Sequence, residues 1–170
     1  AASAQADAVL DTVDYDNAAE ISTKSQDGLY LYVVLEDGTA GITGYLGDET
    51  ALVIPSVVDD LPVTAIGAYA FEYAALTSVV IPEGVTSIDS YAFLDCKSLL
   101  SVSLPETLQD VADSAFQDCS ALMGTSYGNA QYLGNTSKPY LLLLRAASTK
   151  ISDAAVHSQT RWIMQSAFYG

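Results

Sequence analysis

A chain of 170 residues has room for one sizeable core, and half of its residues are hydrophobic, which argues against a disordered polymer. The formal net charge is −15, from 21 acidic and 6 basic residues. That balance argues against a nucleic-acid backbone or an anionic membrane surface as partner, because phosphate binding needs clustered Lys and Arg. No apolar run reaches the ~18–20 residues of a bilayer span, so membrane insertion is not expected. The charge is uneven: residues 1–60 carry 12 acids and 1 base, residues 61–125 carry 8 and 1, and residues 126–170 carry 1 and 4. Solubility accounts for such a surface. Asp14-Tyr-Asp16-Asn17 lacks the glycine and distal glutamate of an EF-hand loop, so no calcium site is expected.

In chain order, Ala1–Ala8 is small and polar and looks like a signal-peptide cleavage region or the start of a mature chain. Residues 9–28 have weak periodicity, so 1–28 reads as a linker or loosely packed extension. Residues 29–46 read as a β-hairpin. Leu29–Leu35 is β-branched and aromatic, Glu36-Asp37-Gly38 is the turn, and Thr39–Tyr45 returns. An exposed strand edge needs a cover, so this hairpin is expected to be an N-terminal cap rather than a plain surface hairpin.

From residue 47 onward the sequence repeats itself. Leu76-x-x-Val79-x-Ile81-Pro82 is followed by Val85, Ile88, Ala92-Phe93 and Cys96. Leu99-x-x-Val102-x-Leu104-Pro105 is followed by Leu108, Val111, Ala115-Phe116 and Cys119. Leu76, Leu99 and Leu122 are 23 residues apart. Val79 and Ile81 point the same way on a short strand, and proline ends the ladder. Gly84, Ser87 and Ser90 suit tight turns rather than a long helix in the return. Upstream, Leu52-Val53-Ile54-Pro55 begins a coil whose surplus, Val57–Pro62, reads as a turn-like loop. Downstream, Val156-His157 occupies a strand-end position, with Ile163 at the offset of Ile88 and Val111. Four coils are visible, the fourth incomplete. A period in this range with an L-x-x-L-x-L core predicts a leucine-rich-repeat solenoid. The class is a right-handed β/α superhelix with short parallel strands and mostly turn or 3-10 returns. Like side chains should stack, placing Phe71, Phe93, Phe116 and Phe168 in one column.

The register I-P…V-x-x-I-x-x-x-A-F-x-x-C-x-x-L resembles the BspA-type leucine-rich repeats of microbial surface proteins, over roughly residues 47–170. The departures are Tyr73 or Ala74 at the cysteine position and His157 at the proline position. The resemblance implies a cell-surface or secreted interaction protein, in some members an adhesin for host matrix. It names no ligand.

Residues 124–148 interrupt the repeat. Ala130–Leu133 and Tyr140–Leu144 flank the turn Gly134–Pro139, a second hairpin inserted between the third strand and the fourth coil. Tyr127, Tyr132 and Tyr140 there either touch a ligand or cover the flank of the solenoid. The end at Ala167–Gly170 reads as the middle of a coil of a longer protein. Its open edge makes self-association a hazard.

Cys96 and Cys119 hold equivalent positions, and side chains in such a ladder run parallel, which favours free, buried, stacked thiols over a disulfide. With no histidine at ligand spacing they make no metal site. His157 has no nucleophile or paired acid at a useful spacing, so a structural or surface role is expected. Trp162 is either a contact residue or a cover for the last coil. No cofactor motif is present. The sequence therefore predicts a non-enzymatic binding protein with protein or glycan partners, host extracellular matrix among them. Its ligand face is expected at Ser78, Val80, Ser101, Ser103, Tyr132 and Tyr140. The alternative is a structural spacer presenting another domain.

Overall fold

The computed structural model describes residues 21–146, 156–164 and 167. Every named element among them is a β-strand, so the returns between ladders are turns and short strands, without the helices of a β/α class. Thr23–Lys24 (β1), Tyr30–Val34 (β2) and Ala40–Tyr45 (β3) form an antiparallel meander. Its tight turn closes through Leu35 N–H donating to the Thr39 carbonyl oxygen. Gly38 there takes a left-handed φ of 80°, and the Asp37 carboxylate accepts from the Thr39 amide and hydroxyl. β1 lies in the stretch whose sequence suggested a linker. Buried Ser25 anchors it, accepting from Tyr30 N–H and donating to Asp27.

The repeats follow as Ala51–Val53 (β4), Val57–Val58 (β5), Leu61–Ile66 (β6), Ser78–Val80 (β7), Ser87–Ile88 (β8), Ser101–Ser103 (β9) and Asp110–Val111 (β10). Two parallel ladders result. One runs β4-β7-β9, with Leu52, Val79 and Val102 in register. The other runs β6-β8-β10, with Ile66, Ile88 and Val111 in register, and β3 adds to it in parallel, Ile42 beside Ile66. These inward residues are buried, as are Ile54, Ile81 and Leu104 and the leucines Leu76, Leu99 and Leu122. One continuous core lies between the ladders.

At the third corner the aromatic column forms. Phe71 and Phe93 stack with centroids 4.9 Å apart and planes 7° from parallel, and Phe93 and Phe116 stack at 5.2 Å and 11°. Tyr45 extends the column to Phe71, and Tyr30 to Tyr45, both at 5.6 Å. Phe168 lies outside the described residues. The Cys96 thiol donates to the Phe71 carbonyl oxygen and the Cys119 thiol to that of Phe93, each at 3.1 Å. Both cysteines are free and buried. The neighbouring Cys96 thiol and burial push the Cys119 thiol well above its ordinary value. Ala74 N–H donates to the Phe71 carbonyl as Cys96 N–H does to that of Phe93, so Ala74 stands at the cysteine position of the first coil.

The stretch expected as a turn-like loop at 57–62 is a two-residue hairpin. β5 and β6 pair antiparallel through Asp59 and Asp60, whose φ values of 46° and 66° are both left-handed, as a type I′ turn requires. The Asp59 carboxylate accepts from Gln26 N–H and the Tyr32 hydroxyl, tying the turn to the N-terminal strands.

Thr125–Tyr127 (β11), Ala130–Leu133 (β12), Leu142–Ala146 (β13) and Trp162–Ile163 (β14) make a separate sheet. β12 and β13 are the second expected hairpin; β11 is an additional strand pairing with β12. β14 runs parallel to β13, so the last coil stacks on the hairpin and not on β10. Its backbone repeats the earlier bonds: Met164 N–H donates to Leu143 as Ala112 does to Ile88. Ile163 thus keeps the backbone position of Val111, but its side chain is exposed and Met164 is buried instead. A one-residue change of facing exchanges the two faces of a strand.

Tyr73, Asp95 and Asp118 hold one position in successive turns, and all are left-handed, with φ between 57° and 58°. Asp and Asn tolerate that region; an aromatic residue there costs about 1–2 kcal/mol. Tyr73 is 67% exposed and loses little burial on replacement. Tyr73→Asn should therefore stabilise the fold by about 0.5–1 kcal/mol, read as a raised urea midpoint; a lowered midpoint would contradict this account.

The Ser25 hydroxyl and the Leu29 amide hold the Asp27 carboxyl below its usual range. The Thr39 hydroxyl and amide do the same for Asp37. A carboxyl depressed on folding gives stability that is present above its unfolded pKa and lost as pH falls through the folded one. The urea midpoint should drop between about pH 5 and pH 3, less steeply in the Asp27→Asn/Asp37→Asn double variant, which keeps the acceptors but does not titrate.

Candidate functional site

Three like hydrogen bonds locate the interruption of the repeat. Thr77 N–H donates to Thr50, Leu100 to Thr77, and Met123 to Leu100. At the other end of the strand, Ile54 N–H donates to Val80, Ile81 to Ser103, and Leu104 to Gly134. Met123 therefore continues the column of Thr77 and Leu100, and Gly134 that of Val80 and Ser103, with a parallel bridge between Ser103 and Gly134. Thr77 to Val80 spans three positions; Met123 to Gly134 spans eleven. The hairpin of β11 and β12 is inserted inside a fourth strand of the ladder, not after the third. Residues 122–146 are consequently a coil of their own.

Glycine makes this possible at both ends. A Cβ at Gly124 would overlap the Tyr132 carbonyl, and one at Gly134 would overlap the backbone of Lys138 and Pro139. Asn135 secures the exit: its amide donates to the Leu104 carbonyl oxygen and its side-chain oxygen accepts from Ser137 and Lys138 N–H. Lys138 reaches back to Glu106 at 2.7 Å, and that ion pair holds the Glu106 carboxyl below its usual range.

The displaced hairpin stands beside the outer face of the ladder and makes a groove of about 410 Å³. Its floor is Ser78, Val80, Ser101 and Ser103, which alternate with the buried Val79 and Val102. Its wall includes Met123, Thr125, Thr136 and Pro139. The four floor residues proposed from the two-residue period are thus together in one cleft. The two tyrosines differ. Tyr132 also borders the groove but is only 1% exposed, so its ring belongs to the core and offers no contact surface. Tyr140 packs against the core and meets Tyr132, Tyr127 and His157, with the His157 ring centroid at 4.1 Å. Tyr127, half-exposed, meets His157 edge-on at 4.6 Å. Trp162 packs partly buried against the core.

A second cleft, about 510 Å³, lies between the turn at 116–120 and the segments of Leu144, Arg145 and Met164, with Asp95 and Lys97 also in its lining. Arg145 spans it, donating to the Leu122 carbonyl oxygen. Among the described residues no three His, Cys, Asp or Glu side chains converge as a metal site, and no helix is long and apolar enough to cross a membrane.

Stacked parallel coils around one core define a leucine-rich-repeat solenoid. Residues 64–137 match the BspA-type leucine-rich-repeat region, in six copies, and this stretch is a repeat array of that type. The leucine-rich repeat protein of T. pallidum is similar at 27% identity over 71% of this chain and 59% of that one, with a TM-score of 0.56. A leucine-rich repeat protein from Bacteroides ovatus is similar at 28% identity over 56% of this chain and 27% of that one, with a TM-score of 0.51. The chain thus spans less than two thirds of either solved protein. No curated protein matches the sequence.

Because the hairpin sits on glycine hinges within an otherwise continuous ladder, Gly124→Ala should disrupt the groove wall while sparing the coils before it. Hydrogen exchange should rise at 125–133 and stay protected at Val79 and Val102; loss of protection throughout would show that the insertion is integral to the stack.

Proposed function

We propose that the chain is a non-enzymatic recognition module, displayed on a cell surface or secreted, that takes a protein or glycan in the groove between the strand ladder and the inserted hairpin. One observation carries this reading. Where the β11–β12 hairpin splits the ladder, the departure from the period raises a wall beside outward-facing Ser and Val residues. A spacer needs only the coils; it has no use for a cleft on their outer face. In this reading the β2–β3 hairpin is the N-terminal cap, supported by the parallel pairing of β3 with β6. Host extracellular matrix is the partner class in keeping with the BspA-type repeats.

Ser101→Glu/Ser103→Glu places two charges on the floor without touching the core. Tested against immobilised host-matrix proteins and a glycan array, the double variant should bind at least tenfold more weakly than the native chain at an unchanged melting temperature. An unchanged binding curve would overturn the assignment of the groove.

A further inference from the structure

We infer that the ligand of this groove is an uncharged, hydroxyl-rich chain: a neutral oligosaccharide. The inference rests on the groove reading above and adds the chemistry of the occupant. Several threonine hydroxyls in the coils serve the fold. Thr39 and Thr64 bond each other, Thr77 donates to Thr50, Thr86 to Thr64 and Thr107 to Val85. Among the described residues, the hydroxyls of Ser78, Ser101, Ser103, Thr125 and Thr136 have no intramolecular partner, and all five line one cleft. Each offers one donor and two acceptor lone pairs, the same inventory as a sugar hydroxyl.

Charge narrows the class. The chain holds 21 acidic and 6 basic residues, yet no charged side chain lines the groove. A sulfate, phosphate or carboxylate would find no cation to pair with, and the net charge of −15 opposes its approach. A cationic ligand would find no carboxylate there either. The volume of about 410 Å³ lies within the ~300–1,000 Å³ of ligand sites. A row of free hydroxyls beside the apolar side chains of Val80, Met123 and Pro139 matches a pyranose, which has an apolar C–H face and a polar rim.

The test uses the intact chain on an array of neutral and sulfated glycans, followed by calorimetry with the best neutral oligosaccharide at low and high salt. At least one neutral glycan should bind, with Kd changing less than about twofold between 50 and 500 mM NaCl. Ser101→Ala/Ser103→Ala should weaken it about tenfold at constant melting temperature, and a heparin oligosaccharide should not bind. The glycan assignment is overturned if no neutral glycan binds, or if heparin binds with an affinity that fades with salt. If a matrix protein instead binds in a manner abolished by Ser101→Glu/Ser103→Glu and uncontested by neutral sugars, the groove stands and the ligand class falls. If no binding of any kind responds to that double variant, the groove itself falls.

Discussion

The structure depends on one constraint: each turn of backbone must land on the previous one in the same register. The constraint is visible as repeated bonds. The thiol of Cys96 meets the Phe71 carbonyl and that of Cys119 meets the Phe93 carbonyl at the same distance. Ile54, Ile81 and Leu104 likewise donate in turn to Val80, Ser103 and Gly134. A parallel ladder of two- and three-residue strands has little cohesion alone, and ordering each coil costs on the order of 1–2 kcal/mol per residue in backbone entropy. Neighbouring coils supply the remainder by covering each other's apolar faces. The stacked phenylalanines show how close that fit is, since near-parallel rings about 5 Å apart leave no room for a shift along the axis.

The same constraint explains where irregularity is tolerated. Corners accept left-handed residues such as Asp95 and Asp118 because side chains there face outward. The β5–β6 hairpin adds length between the two ladders without breaking either. The hairpin of β11 and β12 goes further and splits a strand, yet the ladder resumes because Gly134 returns to the column of Ser103. The other ladder ends there: β13 does not join β6-β8-β10 but pairs with β12 and β14 in a separate sheet.

Much of this was legible in the residues. The 23-residue spacing of Leu76, Leu99 and Leu122 gave the coil, and the two-residue period separated outward Ser78, Ser101 and Ser103 from inward Val79 and Val102. The coil at 122–146 was not legible, because its strand is divided and Gly134-Asn135 replaces the Ile-Pro ending on which recognition relied. Asp59-Asp60 hid a type I′ turn because two aspartates lack the usual Asn-Gly signal. Tyr132 looked like a contact residue because strand alternation separates two faces without saying which one the core covers. Ile163 stands at the offset of Ile88 and Val111 yet is exposed for a related reason: the bonding register persists while the side chains change sides.

The split strand has a consequence for how such an array changes over time. Met123 and Gly134 occupy fixed points of the ladder, and Ala130, Tyr132 and Leu133 tie the inserted hairpin to the core, so the segment free to lengthen or be exchanged is its tip at Gly128-Asn129. The scaffold thereby carries a variable crest on an invariant base, and a foreign loop grafted at Gly128-Asn129 would inherit a pre-built cleft alongside it.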